Sequence, residues 1–236
     1  MTTKLARTAA AAGVLYAARR YYRNWGTTKG ECEAALAGDE LIKQPAIRTT
    51  EGITIHAPAE AVWQWLVQIG QDRGGLYSYQ AFEDLVGLDY RNAERIHPEW
   101  QMLAPGDHIR LAPQGWLGLR RGMALVVEHV AENSTLILRG APPEFPWQTV
   151  MSFHVLPRLE DRCRLLIRTR TALRHPGEAL LVELAGPAMS LLTRGMLLGI
   201  KHRAEGQAVQ TAVNSRSGSE PNMNRLPLTL NGRIRT

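Results

Sequence analysis

The order of elements in this 236-residue chain predicts an α+β fold, a curved antiparallel sheet wrapped on a long C-terminal helix. Three observations carry that prediction. One strand pattern is followed at once by two helical patterns. Five strand patterns then succeed one another with only short turns between them, which makes an antiparallel meander and not a parallel sheet. Last comes one long apolar-striped helix. A curved sheet exposes a concave apolar face, and such a helix can close it.

The first strand is read over Thr50–His56, where Ile53 and Ile55 face one way and Thr54 and His56 the other. His56 reads as a surface histidine. Pro58 suits the first turn of the helix that follows. In that helix Val62, Leu66 and Ile69 form a core stripe flanked by Trp63 and Trp65, and Gly70 ends it. Gln71–Gly75 is a tight connection without the GxGxxG fingerprint, and Arg73 with Gly74-Gly75 shapes it. A second helix is expected over Ser78–Leu88, capped by Ser78, ended by Gly87, with Phe82, Leu85 and Val86 inward.

Asp89–Met102 reads as loop and contains His97-Pro98-Glu99-Trp100. The strands then follow at His108–Leu111, Ala124–Ala131, Thr135–Arg139, Gln148–Leu156 and Arg164–Thr171. In the last of these Leu166, Arg168 and Arg170 share one face, opposite Leu165, Ile167 and Thr169. From Gly177 the pattern is helical. Gly186-Pro187 breaks or kinks it. Met189, Leu192, Met196 and Ile200 form a stripe that suits either an adaptable cavity wall or ordinary helix-on-sheet packing.

Charge divides the chain into three. Residues 1–25 carry five basic residues and no acid, residues 211–236 carry four arginines against Glu220, and the body has 19 basic and 21 acidic residues. A nearly neutral body argues against a nucleic-acid groove, which needs a concentrated basic face. Residues 1–25 read as a basic helix. Its uncharged run, Thr8–Ala18, is 11 residues long, short of the ~20 that cross a bilayer. Two readings stay open for it. One is a helix lying on an anionic membrane surface with Tyr16, Tyr21, Tyr22 and Trp25 as anchors. The other is a frayed, solvated extension. Residues 26–210 make the folded domain, entered through a connector over 26–48. Residues 211–236 read as a disordered tail rich in Ser, Asn, Pro, Gly and Arg. Cys32 and Cys163 lie far apart with no CxxC spacing, so neither a zinc site nor a disulfide framework is expected, and a reducing, cytoplasmic setting fits.

Three segments together, ITIHAPAEAVWQWLVQIGQDRGGLYSY, HPEWQMLAPGDHIRL and MLLGIKHRAE, resemble an uncharacterised bacterial branch of the START / polyketide-cyclase-like (SRPBCC) superfamily, the helix-grip fold. The likeness covers about residues 30–210. It implies a cavity for a hydrophobic, lipid- or polyketide-like molecule. It does not imply a cofactor or metal, and fold does not fix function.

Catalytic motifs such as G-x-S-x-G, H-E-x-x-H or an acid pair are missing, so no catalytic residue is assigned. His154 is the best candidate acid–base group for a cyclase-like or hydrolytic enzyme, which would use it or an arginine in the cavity, and burial would keep His154 neutral. The residues expected at a ligand are Tyr77, Tyr79 and Trp100 at the mouth, Arg110 pointing inward to a ligand carboxylate, His154, and Met189, Leu192 and Met196 on the helix. Tyr77 and Tyr79 equally fit a role in buttressing their turn. The expected function is a non-enzymatic carrier of a hydrophobic molecule. The rivals are the enzyme and a module packed solid, and the carrier reading expects a closed pocket of several hundred Å3.

Overall fold

The computed structural model describes residues 2–217 apart from 86, 89, 144, 160 and 174. Its centre is a curved six-stranded antiparallel sheet in the order β1-β6-β5-β4-β3-β2. The strands are β1 (Ile47–Ile55), β2 (His108–Ala112), β3 (Met123–Ala131), β4 (Thr135–Gly140), β5 (Gln148–Leu159) and β6 (Arg162–Ala172). The helices are α1 (Thr2–Arg23), α2 (Lys29–Glu33), α3 (Ala59–Val67), α4 (Gln80–Leu85) and α5 (Pro176–Ser217). The helix-grip α+β architecture expected from the element order is the one observed.

Alternation along the strands sorts residues onto two faces. Ile53, Ile55, Leu165, Ile167, Phe153 and Val155 face the helices, and all but the half-buried Ile53 are buried. α3 lies here, with Val62 and Leu66 fully buried and both tryptophans largely so. Trp65 Nε1 donates to Gln207 Oε1 at 2.8 Å, which ties α3 to α5. Met196, Leu197, Ile200 and Ala204 of α5 complete this core. The turn after α3 docks on α5 through two glycines one turn apart. A Cβ at Gly199 would overlap the Tyr77 carbonyl, and one at Gly195 would press on Ser78 Oγ at 2.6 Å. Tyr77 itself sits at φ 57, a left-handed backbone that its packing must hold.

Three local expectations are corrected. α4 is shorter than Ser78–Leu88, and Leu85 points to solvent at 80% exposure; the side chains of Phe82 and Val86 lie outside the described residues. Ser78 Oγ is buried against Gly195 and makes no capping bond. α5 runs unbroken through Pro187 and on to Ser217, so residues 211–217 of the expected tail are helical. No glycine or proline interrupts the sequence between Gly206 and Gly218. Residues 218–236 lie outside the described residues.

α1 is helical, and its last turns lie on the first half of α5. Arg19 Nη2 and Arg23 Nη2 each reach Glu183 Oε1 at 2.5 Å. Ser190 Oγ donates to the Tyr22 carbonyl at 2.6 Å. Arg194 stacks over Trp25 at 4.5 Å. Tyr22 and Trp25 are therefore protein contacts and not free anchors, whereas Val14, Leu15 and Tyr16 stay exposed. The segment Gly177–Thr211 is long and apolar enough to cross a membrane. Its second half, however, is the core helix of the sheet.

The other face of the sheet carries the connector. Arg168, 1% exposed, donates to the carbonyls of Glu31, Cys32 and Ala34, to Asp39 Oδ2 and to Thr50 Oγ1, at 2.7–3.2 Å. Arg170 holds the carbonyls of Ile42 and Lys43, and Arg164 grips Glu31 with two bonds. These arginines point away from the concave face, but they are covered instead of solvated. Each burial is tolerable because nearly every guanidinium donor has an oxygen.

Candidate functional site

Between the concave face and the first half of α5 the side chains leave two adjoining lobes. One has a volume of about 90 Å3 and lies beneath the α1–α5 contact; the other is about 80 Å3 and lies toward β2 and Leu88. Leu125, Met151, Met189 and Thr193 line both and form the partition. Each lobe is below the ~150 Å3 that takes a benzene ring. The interior is thus neither packed solid nor the several hundred Å3 expected. Two of the four partition residues are methionines, whose unbranched chains rearrange at low cost.

The lobes differ in chemistry. The second is walled by Ile69, Leu76, Leu138, Phe153, Leu192 and Met196, with almost no polar surface. The first mixes Phe145, Trp147 and Ile47 with threonine hydroxyls and one carboxyl group, Glu51. Glu51 is 2% exposed. Its place follows from strand alternation, because Thr49 and Glu51 extend the face of Ile53 and Ile55. Burial pushes its pKa up to about 8, against the smaller opposing pulls of the Ser190 hydrogen bond and the Arg194 charge. Ser190 Oγ lies 2.9 Å from Glu51 Oε2.

Of the residues expected at a ligand, Met189, Leu192 and Met196 line the lobes. The others do not. Tyr77 is a core residue: its hydroxyl accepts from Gln68 Nε2 at 2.8 Å, and its ring meets Trp65 edge-on. Buttressing is what it does. Tyr79 is 39% exposed beside Gly195. Trp100 stacks on His97 at 4.2 Å, and its carbonyl accepts from Arg73. Arg110 is on the outside, paired with Asp72 at 2.9 Å, because its place in β2 is opposite the buried Ile109. No ligand carboxylate can reach it through the sheet.

His154 is on the connector side. Its strand neighbours Phe153 and Val155 take the concave face, so alternation turns the imidazole the other way. Desolvation, with the nearby Arg168 charge adding to it, lowers its pKa to about 4, and Asp39 opposes weakly. It is the neutral buried histidine expected, in the wrong place for chemistry in the cavity. The signal sequence reasoning missed was Glu51, one alternation step before Ile53.

Cys163 is a fully buried core residue and Cys32 is free. Among the described residues no group of three or more His, Cys, Asp or Glu could hold a metal ion.

No family model matches the chain, and no curated protein sequence matches it. Solved structures do. A START superfamily protein from Mycobacterium smegmatis matches at 14% identity and a TM-score of 0.37, over 70% of this chain and 98% of its own. An aromatase/cyclase from Streptomyces sp. R1128 matches at 14% identity and a TM-score of 0.40, over 67% and 93%. Norcoclaurine synthase from Thalictrum flavum matches at 15% identity and a TM-score of 0.40, over 64% and 92%. At these identities no ligand or reaction is carried across.

Proposed function

We propose that this chain binds and carries a hydrophobic small molecule, lipid- or polyketide-like, in the space between the concave face and α5, without chemically changing it. The observation that supports this is the pair of adjoining lobes divided by two methionines. An apolar guest that displaced the Met151 and Met189 side chains would bury its surface against Phe153, Leu138, Leu192 and Met196. That burial contributes roughly 25 cal/mol per Å2. His154, the acid–base candidate of the enzymatic alternative, faces the connector and not this space.

A membrane surface belongs to the same proposal, with the protein placed in the cytoplasm and peripheral to the bilayer. Lys4 and Arg7 stand in an acid-free helix, and exposed Val14, Leu15 and Tyr16 lie on it. Leu180, Leu181 and Leu184 of the adjacent helix are also exposed. Basic charge beside exposed apolar side chains suits an anionic interface.

Native mass spectrometry of the full chain, purified without detergent, tests the carrier. The expected result is an apolar adduct released on denaturation. A chain always free of adduct, with no saturable uptake of a fatty-acid probe, overturns the reading. Co-sedimentation with vesicles containing phosphatidylserine tests the membrane part. Binding should fall with salt and in a Lys4→Glu, Arg7→Glu variant.

A further inference from the structure

We propose that Glu51 and Ser190 form the polar end of the cavity, and that its ligand is an uncharged amphiphile: an apolar body ending in a hydroxyl group. The inference rests on the ligand-binding reading above and specifies it.

The argument turns on one hydrogen atom. A serine hydroxyl has a single proton to donate. Ser190 Oγ is 2.6 Å from the Tyr22 carbonyl, an acceptor only, so the proton goes there. Its 2.9 Å contact with Glu51 Oε2 must then have the proton on the carboxyl group. Glu51 is therefore held as the neutral acid, donating from Oε2 to Ser190 Oγ. Burial, which raises the Glu51 pKa, favours the neutral acid as well. The Oε1 atom is left as a carbonyl-type acceptor, and it makes no hydrogen bond among the described residues. A ligand that satisfies it must bring a donor.

The surroundings choose the kind of donor. Arg194 acts on Glu51 electrostatically, and Arg23 lines the same lobe with its charge already taken by Glu183 at 2.5 Å. An ammonium donor would enter beside the Arg194 charge and face a neutral acid. A carboxylate would meet the lone pairs of Oε1. An alcohol carries neither penalty. It can also accept, and the hydroxyls of Thr49 and Thr169 stand ready. Those two residues are direct cross-strand partners on the face of Glu51, both line the lobe, and neither hydroxyl makes a hydrogen bond among the described residues. The apolar body would extend past Met151 and Met189 into the second lobe.

The test is an amide NMR titration of the full chain with octan-1-ol, octylamine and octanoic acid at pH 7. Octanol is expected to move the amides of Thr49, Thr169 and Ser190, with a dissociation constant at least tenfold below those of the amine and the acid. Glu51→Leu should erase that preference, while Glu51→Gln, which keeps an acceptor at the same place, should retain it. A preference for the amine or the acid overturns the inference, as does an alcohol preference that survives in Glu51→Leu. Shifts without any preference overturn it alone and leave the carrier standing. Silence from all three probes at millimolar concentration overturns both.

Discussion

The two faces of the sheet both bury ionisable residues, and they treat them in opposite ways. On the connector face Arg168 has five oxygen partners and Arg170 and Arg164 are nearly as well supplied. Those partners are carbonyls and acids of the chain itself. On the helix face Glu51 has one neighbour, Ser190, and an acceptor atom to spare. Saturated burial of this sort fixes a segment in place. Unsaturated burial costs stability and is kept where something else completes it. The comparison separates arginines that hold the connector from a carboxyl group that faces the first lobe.

The largest effect expected from breaking the comparison is at its saturated side. Arg168→Met takes their guanidinium donor from the carbonyls of Glu31, Cys32 and Ala34 and leaves Asp39 with Arg170 as its one arginine partner, and it should cost about 3–5 kcal/mol in urea unfolding. An Arg168→Met protein as stable as the wild type would mean that the connector is not held by this residue. Gly199→Ala comes next. Its methyl group collides with the Tyr77 backbone, so a loss of about 1–3 kcal/mol is expected. Ala at the exposed Gly206, where a methyl group meets nothing, should be neutral or better.

The pH dependence sharpens the comparison, because a group with a strongly shifted pKa lies on each face. The folded pKa of Glu51, about 8, is above the ~4.3 of an exposed glutamate. Its contribution is full below that ordinary value and is lost as pH rises toward 8. The folded pKa of His154, about 4, is below the ~6.5 of a free histidine. Its contribution is full above 6.5 and is lost as pH falls toward 4. Each slope is about 1.4 kcal/mol per pH unit, with opposite sign. They cancel between about pH 4.5 and 6.5, and stability should fall from pH 6.5 to 8. Glu51→Gln should remove the fall above pH 6.5, and His154→Gln should extend it down to about pH 5. Unfolding curves unchanged in slope for both variants would contradict the burial of these groups. The smallest effect is expected at Arg110→Ala, within about 0.5 kcal/mol, since the ion pair it loses is exposed. Octanol affinity should not change.

The strands were legible because alternation and turn residues punctuate them. All six appear within a few residues of where the sequence places them, and β1 begins earlier only because Ile47–Thr49 hides behind Pro45 and Arg48. The stripe of α5 was legible for the same reason. The site was read in part. Met189, Leu192 and Met196 follow from helical periodicity, which sets a face. Tyr77, Tyr79 and Trp100 were attractive for their chemistry, but loop geometry decides where they point and no periodicity reports it. Arg110 and His154 were misplaced although alternation was available, since Ile109, Phe153 and Val155 claim the concave face and send them outward. Glu51 is the reverse case. Its alternation was plain, and it escaped notice because a strand glutamate is usually at the surface.

Pro187 gives α5 a seam. A proline in mid-helix withdraws the amide that would bond the Glu183 carbonyl, so the two halves of this 42-residue helix are joined by fewer rungs there. Beyond the seam Ser190 is tied to Tyr22 and Leu197, Ile200 and Ala204 are anchored in the core; before it Leu180, Leu181 and Leu184 face outward and the helix is held mainly by Glu183. Deuterium should therefore enter the amides of residues 180–186 far sooner than those of residues 196–204. Exchange in that order would mean that the roof of the first lobe lifts while the rest of the molecule stays folded.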